Sequence, residues 1–346
     1  MIRRLYGKLC VTFLHCTLQG PFMLKSLFDS ASLHSALFLL DKLRTDGKLK
    51  LGPMGENEQK LEASFEPGLQ TSQGIRIPQL AFGLYKVPAN DDGEKIISNA
   101  IAAGYRHFDC ASFYGNERVL GNALRKSGLP RHAFCLCSKV WNDAQKKGRE
   151  AVRKALDKSL AELDFGGYWD IFYIHWPVPG FFIETYKELQ EAQREGKIRS
   201  IGLSNFGINE YEALVDDSAI ETPPVVNQME VSPFMYRPKV IEYFQSHNIV
   251  VAASKALHRT EGMMDGIIAD MARQHRVSPA QIMLRWGCQK KLVVVAKTSR
   301  LQRMQENRDI DGFVLSNSEM QLLDSLTSEE DITKREALEV ERRKGM

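Results

Sequence analysis

Eight short β-rich runs alternating with helical patterns between about residues 80 and 310 predict a closed (β/α)8 TIM barrel. Two further observations favour that class. The 346-residue chain has room for one barrel of roughly 250 residues plus extensions. With 43% hydrophobic and 26% charged residues, it can bury a full core. No uninterrupted apolar run approaches the roughly 20 residues that a bilayer crossing needs, so no membrane partner is expected.

The elements follow in order. The phrase Gln73-Gly74-Ile75-Arg76-Ile77-Pro78 suits a hairpin closing the barrel's bottom. Ala81–Val87 is the first expected strand, followed by a helix marked by Ile96, Ile97, Ala100 and Ile101. Tyr105–Asp109 is the second, with Val119, Leu120, Ala123 and Leu124 striping its helix. Phe134–Val140 is the third, and its helix carries the strongest period in the chain: Val152, Ala155, Leu156, Leu160 and Leu163. Trp169–His175 is the fourth, backed by a helix over Phe182–Glu195. Ile198–Ser204, Val225–Val231, Ile249–Ala253 and Leu292–Ala296 complete the eight. Neither a dinucleotide G-x-G-x-x-G nor a P-loop occurs, so no Rossmann or Walker-type nucleotide site is indicated.

Composition divides the chain into an extension over 1–68, a barrel over 69–326 and a charged helical tail over 327–346. Residues 1–28 hold Arg3, Arg4, Lys8 and Lys25 and no acid, whereas the remainder of the chain sums to −1 out of a total of +3. A nearly neutral body offers no electrostatic footprint for nucleic acid. The acid-free start resembles an organellar targeting peptide; an ordinary extension or an upstream start codon accounts for the same residues, and a cytoplasmic monomer is expected. Leu33, Ala36, Leu37, Leu40 and Leu43 could stripe a short amphipathic helix, and Gly47 to Glu66 reads as linker. Six cysteines without a C-x-x-C pair or a histidine at ligand spacing point to reduced thiols, with no structural metal.

In a barrel of this kind the active site forms where strands end and βα loops begin. Asp109 ends the second strand, Tyr114 lies just beyond, Lys139 is at the end of the third and His175 ends the fourth. Taken singly, each has a plain explanation: a turn cap, a packed ring, a snorkelling lysine, a satisfied core imidazole. Converging at one mouth they suggest proton transfer. A phenol of pKa near 10 is a poor acid at neutral pH. An ammonium nearby stabilises the phenolate and is expected to lower that value, while an aspartate keeps the lysine charged and oriented. A neutral imidazole can hydrogen-bond the reacting oxygen. The set makes Tyr114 a candidate general acid for a carbonyl oxygen receiving a hydride.

Several stretches resemble the aldo-keto reductase superfamily: Asp109-Cys110-Ala111-Ser112-Phe113-Tyr114-Gly115-Asn116-Glu117, Ser138-Lys139-Val140-Trp141-Asn142, Ile174-His175-Trp176-Pro177, Ile201-Gly202-Leu203-Ser204-Asn205-Phe206, Asn227-Gln228-Met229-Glu230, and Lys297-Thr298 through Arg303 to Glu306-Asn307. They run in order from about 71 to 326. The resemblance implies a TIM barrel that reduces aldehydes or ketones with NAD(P)H, and makes Asp109, Tyr114, Lys139 and His175 the catalytic tetrad. Ser204, Asn205 and Gln228 would hold the nicotinamide carboxamide. Lys297, Thr298, Arg303 and Asn307 match positions at the adenosine end, with Glu306 near the adenine amino group. Lys297 and Arg303 favour NADPH over NADH, because a 2′-phosphate needs cations and forked donors. Tyr85, Trp141 and His175 line the implied substrate pocket, joined by Trp176.

Three departures stand out. The segment Ile249 to Leu257 lacks the aromatic that the family stacks on the nicotinamide, whichever of Ala253 or Ser254 aligns with it. Cys110 stands where Thr is usual. Residues 328–346 carry Arg335, Glu339 and Arg343 at i, i+4 spacing in place of an aromatic capping loop, which reads as a solvated helix and an open pocket. A second function fits these departures: a cofactor-binding barrel acting as a regulatory or structural subunit.

Overall fold

The computed structural model describes residues 68–258 and 266–345. The expected extension with its targeting reading, the stripe from Leu33 to Leu43 and the linker lie outside the described residues.

Two short antiparallel strands, β1 (Gly68–Gln70) and β2 (Arg76–Pro78), form the hairpin expected at the bottom. Its turn is tied to the barrel by Gln73, which donates to the Pro223 carbonyl at 2.8 Å and accepts from the Ser200 hydroxyl at 2.7 Å. Ile77 from β2 joins the apolar cluster inside the barrel. The barrel comprises β3 (Leu80–Gly83), β4 (His107–Asp109), β5 (Cys135–Val140), β6 (Trp169–Ile174), β7 (Ile198–Ser204), β8 (Val226–Glu230), β9 (Val250–Ser254) and β10 (Val293–Ala296). Every neighbouring pair is parallel, and β10 closes on β3 with Val294 opposite Leu80.

The strands are legible as apolar runs because both faces are buried. Ala81, Cys137, Ile171, Tyr173 and Val226 point into the barrel, while Phe82, Phe108, Leu136, Phe172 and Leu203 meet the helices outside. Cys135 and Cys137 share the inward face, where His107 Nε2 lies 3.3 Å from Cys137 Sγ. Six of the eight strands are shorter than expected, and the first two show why. The first stops at Gly83, because Leu84 to Val87 makes a turn in which the Val87 amide donates to the Leu84 carbonyl and Lys86 takes φ 62°. The second begins at His107, because the Tyr105 amide donates to Ala100 and thereby ends the preceding helix.

Helices form where apolar period and capping agree. Asp91–Ala102 starts at Asn90, whose side chain accepts from the Asp92 and Gly93 amides. Gly93 has no room for a side chain, since a Cβ there would sit 1.8 Å from the Pro88 carbonyl oxygen. Arg149–Leu163 buries Val152, Leu156 and Leu163 as its period predicts, and also Ser159, which accepts from the Trp169 indole at 3.1 Å. Among the described residues, no helix is long and apolar enough to cross a membrane.

The C-terminal helix, Glu329–Lys344, corrects the expectation of a solvated tail. It starts at a capping box between Ser328 and Asp331. The expected pairing of Arg335 with Glu339 is present at 2.8 Å, but both residues are buried. Arg335 reaches Glu230 at the end of β8 at 2.6 Å, Glu339 takes Arg237 at 3.2 Å, and Arg343 takes Glu210 at 3.1 Å. Leu338 and Val340 face outward instead. Ion pairs dock this helix onto the barrel, so its inner side is charged as well as its outer one.

Candidate active site

Strand ends assemble the site. Asp109 is the last residue of β4, Lys139 the penultimate residue of β5, and His175 follows β6 directly. Tyr114 ends a 3-10 turn, Ser112–Tyr114, closed by Gly115 at φ 67°. That turn is held by Ser112, whose hydroxyl donates to the Lys139 carbonyl at 2.9 Å. Buried Asn116 braces the neighbouring loop by donating to the Leu84 and Val87 carbonyls. Cys110 contributes a buried thiol that donates to Asn116 at 3.2 Å and leaves the tetrad positions unaltered.

Lys139 is fully buried, and its ammonium donates to Asp109 Oδ1 and to the Cys110 carbonyl, both at 2.7 Å. It lies 5.3 Å from the Tyr114 ring centre, and the Tyr114 and His175 rings stand edge to face at 6.0 Å. Burial opposes the ammonium's charge, but the Asp109 carboxylate and Tyr114 together outweigh it and raise the Lys139 pKa. Burial dominates at Tyr114, whose phenol is pushed up to about 12 against the pull of Lys139. The net shift is therefore opposite to the lowering expected from the ammonium alone. Burial and the Lys139 charge hold the His175 imidazole well below its usual range, so it is neutral.

Asp109, Tyr114 and His175 open into one cavity of about 780 Å3, with Lys139 buried behind them. Tyr85, Trp141 and Trp176 line it as expected, together with Phe113, which sequence reasoning missed. Phe113 stacks on Trp141 at 4.0 Å and 20°, and Tyr85 lies 5.3 Å from Tyr114. The position of Phe113 between Ser112 and Tyr114 was the available signal. Ser204, Asn205 and Gln228 line the same cavity, as do Lys297, Thr298, Arg303, Glu306 and Asn307. Gln228 donates its amide to Asp109 Oδ1 at 2.9 Å. Asn205, at φ 62°, donates to the His175 carbonyl and to the Ser204 hydroxyl, both at 3.0 Å. Ser254 also lines the cavity without a ring, beside Lys255, which pairs with Glu230.

The family model described as the Aldo/keto reductase family matches residues 79–328. This chain belongs to that family. It is an oxidoreductase of the carbonyl-reducing kind. It is 32% identical over 270 residues to a glyoxal reductase of Bacillus subtilis, covering 78% of this chain and 96% of the relative. It is 34% identical over 261 residues to a 9,11-endoperoxide prostaglandin H2 reductase of Trypanosoma cruzi, covering 75% and 90%. Among solved structures, an aldo-keto reductase of Bombyx mori in complex with NADP superposes with a TM-score of 0.69 at 29% identity, covering 76% of this chain and 93% of that one. As a family member, the chain is expected to use a nicotinamide cofactor, and its cavity suits one. Buried His175 Nδ1 lacks a hydrogen-bond partner, and Lys297 and Arg303 line the cavity without a carboxylate partner among the described residues.

Proposed function

We propose that this chain reduces aldehydes and ketones to alcohols with NADPH, Tyr114 acting as general acid. The observation that carries the reading is the convergence of Asp109, Lys139, Tyr114 and His175 at one mouth lined by aromatic rings. The NADP complex of the Bombyx mori relative and the unpaired Lys297 and Arg303 support the phosphorylated cofactor.

When bound, the nicotinamide supplies the hydride that reaches the carbonyl carbon. The protein's part is the proton. Tyr114, kept neutral by burial, donates its phenolic hydrogen to the carbonyl oxygen as negative charge gathers there. Lys139 stabilises the phenolate left behind, and Asp109 keeps that lysine charged and in place. Neutral His175 orients the oxygen without competing for the proton. Solvent then returns a proton to Tyr114. The aromatic walls favour apolar substrates and keep water from the reacting oxygen.

The test follows NADPH oxidation with a panel of aromatic and aliphatic aldehydes, comparing wild type with Tyr114→Phe. Turnover should fall by roughly 10²–10⁴ in the variant while NADPH binding persists. Wild type that binds NADPH without turnover would favour the regulatory-subunit reading.

A further inference from the structure

The inward faces of β4 and β5 carry more than Asp109 and Lys139. Side chains two residues apart on a strand share a face, so His107 stands one layer below Asp109, and Cys137 one layer below Lys139. Cys135 lies a layer deeper, opposite His107 in the pairing of the two strands. The donor atoms of His107, Cys135 and Cys137 all lie within 4.8 Å of one another, and all three residues are buried. His107 and Cys137 are 30 residues apart in the chain, so no ligand spacing in the sequence marks the cluster.

The imidazole is held as a metal ligand is held. Its Nδ1 lies 3.0 Å from the carbonyl of Pro78, the last residue of β2. A carbonyl only accepts, so Nδ1 carries the hydrogen and Nε2 presents its lone pair. That lone pair meets Cys137 Sγ at 3.3 Å. Burial holds the His107 ring below its usual range and pushes the Cys137 thiol up, so a neutral imidazole accepts a thiol hydrogen there. Donors that share one tetrahedral zinc stand about 3.5–3.8 Å apart, given bonds of roughly 2.0–2.3 Å. The His107–Cys137 pair is close to that spacing already, and Cys135 has a short distance to close.

Charge selects the ion. Two thiolates and a neutral imidazole around a dication sum to zero, which an apolar interior accepts, whereas a monocation such as Cu+ would leave a net negative charge there. The Tyr173 phenol of β6, buried in the same inner cluster and sharing a hydrogen bond with Cys137, is the neighbouring oxygen donor for a fourth position.

We propose that His107, Cys135 and Cys137 form a structural Zn2+ site inside the barrel, stapling β4 to β5 beneath Asp109 and Lys139. Binding breaks the two S–H bonds and forms two Zn–S bonds with the electron pairs left on sulfur, while two protons pass to solvent. Pro78 and Ile77 of the hairpin cover this layer from below, so the ion enters as the chain folds.

The experiment produces the full chain in zinc-supplemented medium, dialyses it against EDTA and measures its metal content by plasma mass spectrometry. About one zinc per chain should remain in wild type, and equally in a Cys10→Ser/Cys16→Ser variant that removes the thiols of the N-terminal extension. Cys137→Val, which keeps an apolar side chain in the core, and His107→Gln should each cut that content to about a tenth or less. Circular dichroism checks that the variants fold. A second measurement needs no variant: chain produced with cobalt in place of zinc should show thiolate-to-cobalt charge-transfer absorption in the near ultraviolet. Wild type free of zinc after dialysis overturns the proposal. So does zinc retained in full by folded Cys137→Val, or cobalt bound without the charge-transfer absorption.

Discussion

Burial sets the protonation state of the two groups nearest the proposed reacting oxygen, pushing the Tyr114 phenol up and the His175 imidazole down. Both are consequently neutral through the physiological range, as a proton donor and its orienting partner require. His175 carries a stability cost at low pH. Below about pH 6.5 the unfolded chain binds a proton at this residue that the folded chain refuses, so stability falls as pH falls. Each such histidine removes up to about 1.4 kcal/mol per pH unit. The drop in Tm between pH 7 and pH 5 should therefore shrink in His175→Asn relative to wild type. Ser254 sets a second expectation at this scale. A ring stacked on the cofactor is worth about 0.5–1.5 kcal/mol, so Ser254→Tyr should tighten NADPH binding several-fold in a fluorescence titration. An unchanged Kd would count against that reading of the position. The positions of the proposed catalytic residues were legible because strand-end motifs pick them out one by one. The net direction of the Tyr114 shift was not, because it depends on how deeply the fold buries the phenol.

Among elements, the C-terminal helix differs most from what its sequence suggests. The i, i+4 pairs were plain in the sequence, but the side facing the barrel was not. Glu230, Arg237 and Glu210 decide that side, and they lie about a hundred or more residues away in the chain. A helix that buries Arg335 and Glu339 while leaving Leu338 and Val340 outside departs from the usual amphipathic rule. Glu339 is the centre of the network, contacting Arg237, Arg335 and Arg343. Glu339→Gln removes the charge that three guanidinium groups share, and breaking a buried pair costs about 3–5 kcal/mol. Hydrogen exchange should quicken across residues 329–344. NADPH binding should weaken as well, because Arg343 donates to the Asn205 carbonyl beside the proposed nicotinamide site. Protection unchanged from wild type would mean that the helix is held by something other than these charges.

For the whole molecule, the barrel was legible because its strands are buried on both faces and most of them therefore read as short, mainly apolar runs, whatever the loops do. Boundaries were less so. A strand end is set by the hydrogen bond that stops it, as at Tyr105, and such bonds have no signature in hydropathy. The same architecture explains why one end carries the chemistry. The hairpin of β1 and β2 packs Ile77 into the bottom of the barrel, while the opposite strand ends, with the loops and the helix starts that follow them, supply the proposed site.

The hydrogen bonds already made by Gln228 and Asn205 restrict what a ring substituent placed between them must look like. Asn205 spends both amide hydrogens on the protein, on His175 and Ser204, which leaves it a carbonyl oxygen; Gln228 spends one on Asp109 and keeps a carbonyl oxygen and one N–H. Ser204, having accepted from Asn205, keeps its own hydroxyl hydrogen to give. The pattern is two carbonyl acceptors beside the Ser204 and Gln228 donors, which suits the N–H and C=O groups of a primary amide better than the acceptor-only oxygens of a carboxylate. The barrel would thus tell nicotinamide from nicotinic acid by the same donor-and-acceptor bookkeeping that tells one base from another in a duplex.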